Sequence, residues 1–413
     1  MNYSEVILQE LIPAFGCTEP IALAYCAAKA AQLLGEEVEE IGARVSGNII
    51  KNAYSVKVPG TEGRKGLEIS IVAGALLGDA DKKLEVLSAI DKTQLARCDQ
   101  FIKAGHVQVE LQDGVDNLYI NITVRGRGHE AEVKIFGSHT NIIYMRCDEE
   151  VLLEKDMACS RAKQVDFSFE DIFNYAQNAD YSPLKKLLDL EIKYNMEIAA
   201  EGLQRPWGSQ IGQLVLKHAC GNSSEKYVAY AAAGSDARMS GCERPVVINS
   251  GSGNQGITVS VPIILYAKDH AFSDEALYRA LIFANLLALY LKQGIGKLSA
   301  YCGVVSAASA SVCGIGFLNH EPVEILADTL SNALAVNSGL ICDGAKPSCA
   351  MKIASSLRNA FLAYEQAKCD VSFEPGDGIV RPNVDETIGT VGRIARDGMK
   401  QTDVVILKEM LKG

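Results

Sequence analysis

The chain has 413 residues, of which 48% are hydrophobic and 22% charged, as in folded globular proteins. This length predicts two domains or three. A net charge of −11 argues against a nucleic-acid-binding protein. Because no apolar run reaches the roughly 18 residues that cross a bilayer, and no charged-then-apolar leader opens the chain, we expect a cytoplasmic protein without membrane partners.

Residues 1–35 predict one helix, over 21–34, in the Ala- and Leu-rich string IALAYCAAKAAQLL. The preceding Thr18, Glu19 and Pro20 form a helix-start signal, because proline is tolerated in the first turn. From its composition alone, this helix could belong to either of the regions that follow.

Residues 36–165 predict an α+β domain with helices on one face of a mostly antiparallel sheet. The strings LYINITV and EAEVKIF alternate with period two, which is typical of strands with one wet face. Helices are expected at 82–90 and 92–104. The predicted strands are 40–46, 106–111, 118–125, 130–136 and 140–146.

Residues 166–413 predict a large all-helical domain, so the expected fold class is α+β with two unequal parts. Several of its segments, such as SAASASVCGIG, are rich in small residues that permit close helix packing. Such helices can pack within or between subunits, and a homo-oligomer is therefore compatible with the sequence.

The sequence contains 12 cysteines, which is unusual for this length. In a reducing cytosol a disulfide framework is not expected. No pair is spaced as C-x-x-C, which excludes zinc ribbons, thioredoxin-like sites and ferredoxin-type runs. Most of the cysteines are therefore expected to be small buried apolar residues.

Four cysteines have surroundings suited to chemistry. Cys342 and Cys349 flank a turn in CDGAKPSCAMK, and a helix restarts near Cys349, whose thiol pKa the helix dipole would lower. Cys17, before the first predicted helix, has the same advantage. Cys302 begins a small-residue helix. For each of them, a structural role beside a turn or in helix packing is the alternative.

Three loops are candidate substrate-binding segments. NSGSGNQG precedes a long apolar helix, and the unobstructed N–H groups of Ser250, Gly251, Ser252, Gly253 and Asn254 suit a carboxylate or phosphate. In PGTEGRKG, Lys65 could bind a substrate carboxylate. In GSHTN, His139 could donate or accept a proton near pH 7. An ordinary surface loop is the alternative in each case.

Six strings of the chain, in this order, resemble the L-cysteine desulfidase family, which is related to the iron–sulfur-dependent L-serine dehydratases: PAFGCTEP, SGNIIKN, PGTEGRKG, NSGSGNQG, CDGAKPSCAMK and GDGIV. The resemblance covers residues 8–411. It implies one [4Fe–4S] cluster held by Cys302, Cys342 and Cys349, with Cys17 as the proton acceptor. The other eight cysteines would then be structural.

The function implied by this resemblance is β-elimination of L-cysteine to pyruvate, ammonia and sulfide. A cluster with three protein ligands leaves one iron open as a Lewis acid, and pyridoxal phosphate is not expected. Two alternatives remain: an L-serine dehydratase working in the same way, and a non-catalytic relative that binds an amino acid or a metal. For Cys17 to act as the base, residues 1–35 should pack on the helical domain of residues 166–413 and not on the sheet.

Overall fold

The computed structural model describes residues 2–156 and 165–412, so that Cys159 lies outside the described residues. Within them, the fold is α+β, which confirms the predicted class. No helix in these two ranges is long and apolar enough to cross a bilayer.

A six-stranded sheet forms the centre of the smaller part, with the strand order β3-β2-β4-β5-β6-β7. The pair β2–β3 is parallel and the other neighbours are antiparallel, in agreement with a mostly antiparallel sheet. The strands are β2 (Glu40–Val45), β3 (Val107–Leu111), β4 (Tyr119–Arg125), β5 (Glu130–Phe136), β6 (Ile142–Cys147) and β7 (Glu150–Glu154).

The period-two alternation predicted for β4 and β5 gives the sheet one apolar face. Ile120, Ile122 and Val124 of β4 are buried, as are Val133 and Ile135 of β5. Helix α2 (Thr18–Leu34) covers this face, and its Cys26 thiol donates to Val133 O of β5. Helices α3 (Gly47–Ala53), α4 (Leu67–Leu77) and α5 (Leu95–Lys103) complete this part.

The prediction that the helix of residues 1–35 packs on the helical domain is wrong for most of its length. Helix α2 lies against β4, β5 and α4, because the apolar sheet face needs a cover and α2 is buried on nearly all sides. Only the segment before it behaves as predicted. Helix α1 (Tyr3–Glu10) packs on the helical part, and strand β1 (Pro13–Phe15) pairs with β8 (Pro245–Val247) there.

Helix α4 was missed by the sequence analysis. Its sequence LEISIVAGALL is apolar all round and rich in β-branched residues, so periodicity cannot distinguish a buried helix from a buried strand. The predicted helix at 82–90 is instead a short 3₁₀ segment, Ala80–Glu85.

The larger part of the chain is helical from α6 onward. One apolar core runs from the sheet and α2 into this part, and a second core fills its far side. The helices are α6 (Phe169–Asn178), α7 (Lys185–Gln204), α8 (Ile211–Lys217), α9 (Ser223–Met239), α10 (Gly253–Asp269), α11 (Asp274–Ile295), α12 (Gly303–Leu318), α13 (Val323–Asn337), α14 (Cys349–Lys368), α15 (Val384–Arg393) and α16 (Lys400–Met410).

Replacing Gly74 with alanine should destabilise the protein by about 1–3 kcal/mol, because overpacking strains a close contact. A Cβ at Gly74 would lie 2.3 Å from the carbonyl oxygen of Ala24, where α4 crosses α2. Urea unfolding measures the loss. Gly42→Ala in β2 is the matched control, since an added Cβ there meets nothing within 4 Å. Equal stability of the two variants would contradict this packing.

Candidate active site

Three of the four candidate cysteines lie at helix N-termini. Cys17 is the N-cap residue of α2, Cys302 is the N-cap residue of α12, and Cys349 is the first residue of α14. Cys342 lies in the loop before α14 and is half-buried, whereas the other three are buried. The helix starts predicted for Cys17, Cys302 and Cys349 are therefore present.

Backbone hydrogen bonds join the segments that carry Cys302 and Cys342. An isolated antiparallel bridge joins Tyr301 to Ile341. The N–H of Cys302 donates to Leu340 O at 3.0 Å, and the N–H of Cys342 donates to Ala300 O at 2.6 Å. The segments before α12 and α14 thus form one short ladder.

Cys349 closes the turn and connects this ladder to Cys17. The N–H of Lys346 donates to Cys349 Sγ at 3.5 Å, and the thiol donates to Gly344 O at 3.6 Å. Cys349 and Cys17 belong to one small apolar cluster with Val56 and Met239. The start of α2 therefore reaches the helical part although the body of the helix lies on the sheet.

Burial overrides the helix-dipole effect on these thiols. It raises the pKa of Cys17 to about 11, against the opposing charge of Arg238, and raises the pKa of Cys349 to about 11. Burial and the neighbouring Cys342 and Cys349 also raise the pKa of Cys302. The lowered thiol pKa values expected from the sequence are thus wrong for the free thiols.

Four lysines surround the cysteine group. Lys51, which is 1% exposed, donates to Cys342 O at 3.2 Å and pairs with Asp403 at 2.5 Å. Lys352 pairs with Asp343, while Lys346 donates to Ser55 Oγ at 3.1 Å. Burial lowers the pKa of Lys292 to about 8, against the influence of Cys342 and Cys302. The positive charge of Lys292 would offset the negative charge of thiolates at Cys302 and Cys342, whereas Lys51 and Lys352 already have carboxylate partners.

The candidate donors Cys302, Cys342 and Cys349 are all thiols, the side chains that hold iron–sulfur clusters. Within the two described ranges, no group of three or more His, Cys, Asp or Glu side chains is arranged to hold one metal ion. A four-iron cluster needs its cysteine ligands further apart than one ion does. Cys302, Cys342 and Cys349 are close enough for their charges to interact, and binding iron would relieve the repulsion between their thiolates.

The glycine loop lies beside this group. Ser250 and Gly251 have φ of 50° and 77°, and Ser252 caps α10 through its Oγ. A Cβ at Gly251 would lie 2.8 Å from His139 Cε1, and one at Gly303 would lie 2.6 Å from Gln255 Cδ. His139 and the start of α10 therefore both come close to the backbone of the predicted site segments.

Glu19 and His139 join the sheet part to this loop. Asn52 Nδ2 donates to Glu19 Oε1 at 3.0 Å, and His139 Nε2 lies 3.7 Å from the same oxygen. Burial would raise the pKa of Glu19, but His139 and Asn52 lower it to about 2. His139 Nε2 lies beyond hydrogen-bond distance of any described residue, and Glu19 is the charged group nearest to it.

Lys65 is not brought into this arrangement. It is exposed, and its backbone pairs with that of Lys57. Across residues 2–156 and 165–412, no hydrogen bond or ion pair joins its side chain to the site. The guanidinium of its neighbour Arg64 pairs with Asp99 at 2.7 Å.

Comparison with known proteins places the chain in a family. The serine dehydratase alpha chain family matches residues 81–408. The chain belongs to this family. This confirms the relationship to the serine dehydratases that the motifs predicted, and it places the chain among serine dehydratase-like lyases.

Full-length relatives carry a name that states no activity. The chain is 41% identical to a UPF0597 protein of Finegoldia magna, with 100% of this chain and 99% of that protein aligned. It is 39% identical to a UPF0597 protein of Treponema denticola, over 100% and 98%. A UPF0597 protein of Lachnoclostridium phytofermentans is 41% identical, over 98% of each.

Several polar residues near the site of this family member were missed by sequence reasoning. Asn48, Lys51 and Asn52 are buried on α3, where their i, i+3, i+4 spacing gives them one common face. That spacing within an otherwise apolar segment is a signal that could have identified them. Arg238 and Gln255 lie in longer helices and carry no comparable pattern.

A buried carboxyl group supports the glycine loop from behind. Glu191 accepts hydrogen bonds from Asn285 Nδ2 at 3.0 and 3.1 Å. Asn285 Oδ1 accepts from Asn249 at 2.9 Å, and Ser250 Oγ donates to Asn249 Oδ1 at 3.1 Å. Burial raises the pKa of Glu191 to about 8, so the group is protonated at neutral pH.

Glu191→Gln should stabilise the protein increasingly as pH rises. Above the ordinary glutamate pKa the unfolded chain loses the proton that the folded chain keeps, so wild-type stability falls until about pH 8. The slope is at most about 1.4 kcal/mol per pH unit. Thermal unfolding of both proteins at pH 6 and pH 8 measures it. Glu197→Gln on the same helix is the control, since Glu197 is only half-buried and lies 3.8 Å from Arg244. An identical pH dependence of wild type and Glu191→Gln would contradict the assignment.

Proposed function

We propose that this protein is a carbon–sulfur lyase that converts L-cysteine to pyruvate, ammonia and sulfide with a [4Fe–4S] cluster. The observation that carries the proposal is the meeting of Cys302, Cys342 and Cys349 from two helix starts and a loop, with Cys17 against Cys349. The membership in a family of serine dehydratase-like lyases supports the same class of reaction.

Cys302, Cys342 and Cys349 would hold the cluster. When bound through three cysteines, a [4Fe–4S] cluster supplies an iron without a protein ligand, which acts as a Lewis acid on the leaving sulfur. Thiolate is a soft ligand that suits iron. The buried Lys292, which interacts with Cys342 and Cys302, would supply positive charge that offsets the negative charge of the thiolates.

Cys17 is the proposed base for the Cα proton, which it can accept only as the thiolate, and the positive charge of Arg238 is the neighbour that favours this form. It is buried, follows the left-handed Gly16, and contacts the Cys349 side of the group. The Cα proton leaves to the base while the Cβ–S bond breaks, and the released aminoacrylate hydrolyses to pyruvate and ammonia. His139 is the second candidate for the base, since it is buried beside Gly251 of the glycine loop and Glu19 lies 3.7 Å from its Nε2.

The loop of Ser250, Gly251, Ser252, Gly253 and Asn254 would hold the substrate carboxylate. It ends at the N-terminus of the 17-residue helix α10, where N–H groups and the helix dipole favour an anion. Its closeness to Gly303, through Gln255, sets it beside Cys302. The substrate would then span from this loop to the cysteine group.

L-Serine dehydration is the second candidate function, and the match to the serine dehydratase alpha chain family favours it. The same base and carboxylate site would serve, with oxygen as the leaving atom in place of sulfur.

Anaerobically reconstituted protein should release pyruvate and sulfide in equal amounts from L-cysteine, faster than it releases pyruvate from L-serine. Both products are measured in the same assay, with each amino acid supplied alone. Faster turnover of L-serine would contradict the desulfidase proposal and favour L-serine dehydratase as the function. A reconstituted cluster without turnover of either amino acid would contradict the lyase proposal and favour a binding protein.

Cysteine variants should separate cluster ligands from the base. Replacing Cys302, Cys342 or Cys349 with alanine should remove iron and activity together. Cys17→Ala should keep the iron and lower turnover by about 10²–10⁴-fold, the usual contribution of a positioned acid–base group. Iron content and pyruvate formation are the measurements.

Cys26→Ala and the exposed Cys369→Ala are the controls and should retain both properties. Loss of iron in Cys17→Ala would make Cys17 a ligand and not the base. Full activity of Cys17→Ala with loss of activity in His139→Gln would transfer the role of base to His139.

A further inference from the structure

Arg238 is a buried cation without an anionic partner. Its side chain, near the C-terminus of α9, is 4% exposed. Its Nη2 donates to Gly16 O at 2.8 Å and its Nη1 to Asn254 Oδ1 at 3.4 Å, and both acceptors are neutral. Buried arginines are almost always paired with an anion, since an unpaired buried charge is costly. Among the described residues, no Asp or Glu forms an ion pair with this guanidinium.

The unpaired edge of the guanidinium points to the start of α10. Arg238 Nε is buried and has no hydrogen-bond partner within the described ranges. It lies so close to Gly253 that a Cβ there would be 2.3 Å from Nε and 2.6 Å from Cζ. Gly253 is the first residue of α10, so this edge faces the positive end of the helix dipole.

The start of α10 offers further unused donors at the same place. The N–H of Gln255 is capped by Ser252 Oγ at 3.4 Å. For the N–H groups of Gly253 and Asn254, no acceptor is found among residues 2–156 and 165–412. The positively charged guanidinium of Arg238 and the positive end of the α10 dipole therefore lie next to each other, and both have N–H donors without an acceptor in the described ranges. Bringing them together is unfavourable unless an anion binds beside both.

We propose that Arg238, with the N–H groups of Gly253 and Asn254, binds the α-carboxylate of the amino-acid substrate. This rests on the proposed function and names the residue that makes an α-carboxylate a requirement for binding. A guanidinium presents parallel N–H donors that match a carboxylate. Since Arg238 Nη2 also holds Gly16 O, the same side chain positions Cys17 relative to the bound substrate.

Equilibrium binding of L-alanine to the anaerobically reconstituted holoprotein tests this site without turnover, because L-alanine has no leaving group. L-Alaninamide is the probe that lacks the carboxylate. Wild-type protein should bind L-alanine at least about 10-fold more tightly than L-alaninamide. Arg238→Gln should weaken L-alanine binding about 10- to 100-fold, as expected for losing hydrogen bonds to a charged group, and leave L-alaninamide unchanged.

Two further variants keep the test valid. Arg238→Lys retains the charge without the parallel donors and should bind L-alanine more weakly than wild type but better than Arg238→Gln. Arg205→Gln removes a guanidinium that is 70% exposed and already paired with Glu201, and should bind as wild type does. Iron content and thermal unfolding report whether each variant is folded. The comparison of L-alanine with L-alaninamide uses wild-type protein alone, so it does not depend on any variant.

Equal binding of L-alanine by wild type and folded Arg238→Gln would overturn the proposal, as would equal affinity of wild type for the two probes. Slower alkylation of Cys17 in Arg238→Gln, with unchanged L-alanine binding, would also overturn it and make Cys17 the counterion. Failure of the proposed lyase function would give a different result. The protein would turn over neither L-cysteine nor L-serine, but it would still bind L-alanine in a way that depends on Arg238.

Discussion

The site depends on where helix α2 is anchored. Its apolar body covers the sheet face formed by β4 and β5, which fixes the helix firmly in the smaller part of the molecule. Its N-terminal end nevertheless reaches the helical part, where the N-cap residue Cys17 meets Cys349, while Glu19 lies beside His139 of the smaller part. A helix buried on nearly all sides has little freedom to shift. The relative position of the proposed base and the proposed ligands is therefore determined by ordinary apolar packing at some distance from the chemistry.

Around this junction the protein retains polar atoms that it does not satisfy internally. Arg238 Nε, Gln255 Oε1, His139 Nε2 and Asn52 Oδ1 are all buried and without partners among the described residues. Buried polar groups in native proteins are normally hydrogen-bonded to protein, water or a ligand, and these four atoms are hydrogen-bonding groups that a substrate could use. Glycines allow the approach, since side chains at Gly251, Gly253 or Gly303 would collide with these same residues. The motif strings thus encode close packing as much as chemistry.

The sequence predicts local features of this molecule better than their arrangement. The alternation in β4 and β5 and the helix starts at Cys17, Cys302 and Cys349 depend on neighbouring residues and are present. The position of α2 depends on which surfaces meet in three dimensions, and the expectation for it was wrong. The thiol pKa values failed for the same reason, since burial of Cys17 and Cys349 outweighs the helix dipole. Lys65 lies in an exposed loop, which is the alternative that the sequence left open. Cys220 and Cys369 are exposed, although most cysteines were expected to be buried.

The central claim is that segments from both parts of the chain form one iron-dependent site. A crystal structure of the anaerobically reconstituted protein, with anomalous difference maps at the iron absorption edge, tests it most directly. The account predicts one compact iron peak contacting Sγ of Cys302, Cys342 and Cys349, with Cys17 and Arg238 on its unligated side. An iron peak at other cysteines, or an iron-free group of these three in protein that turns over L-cysteine, would contradict it.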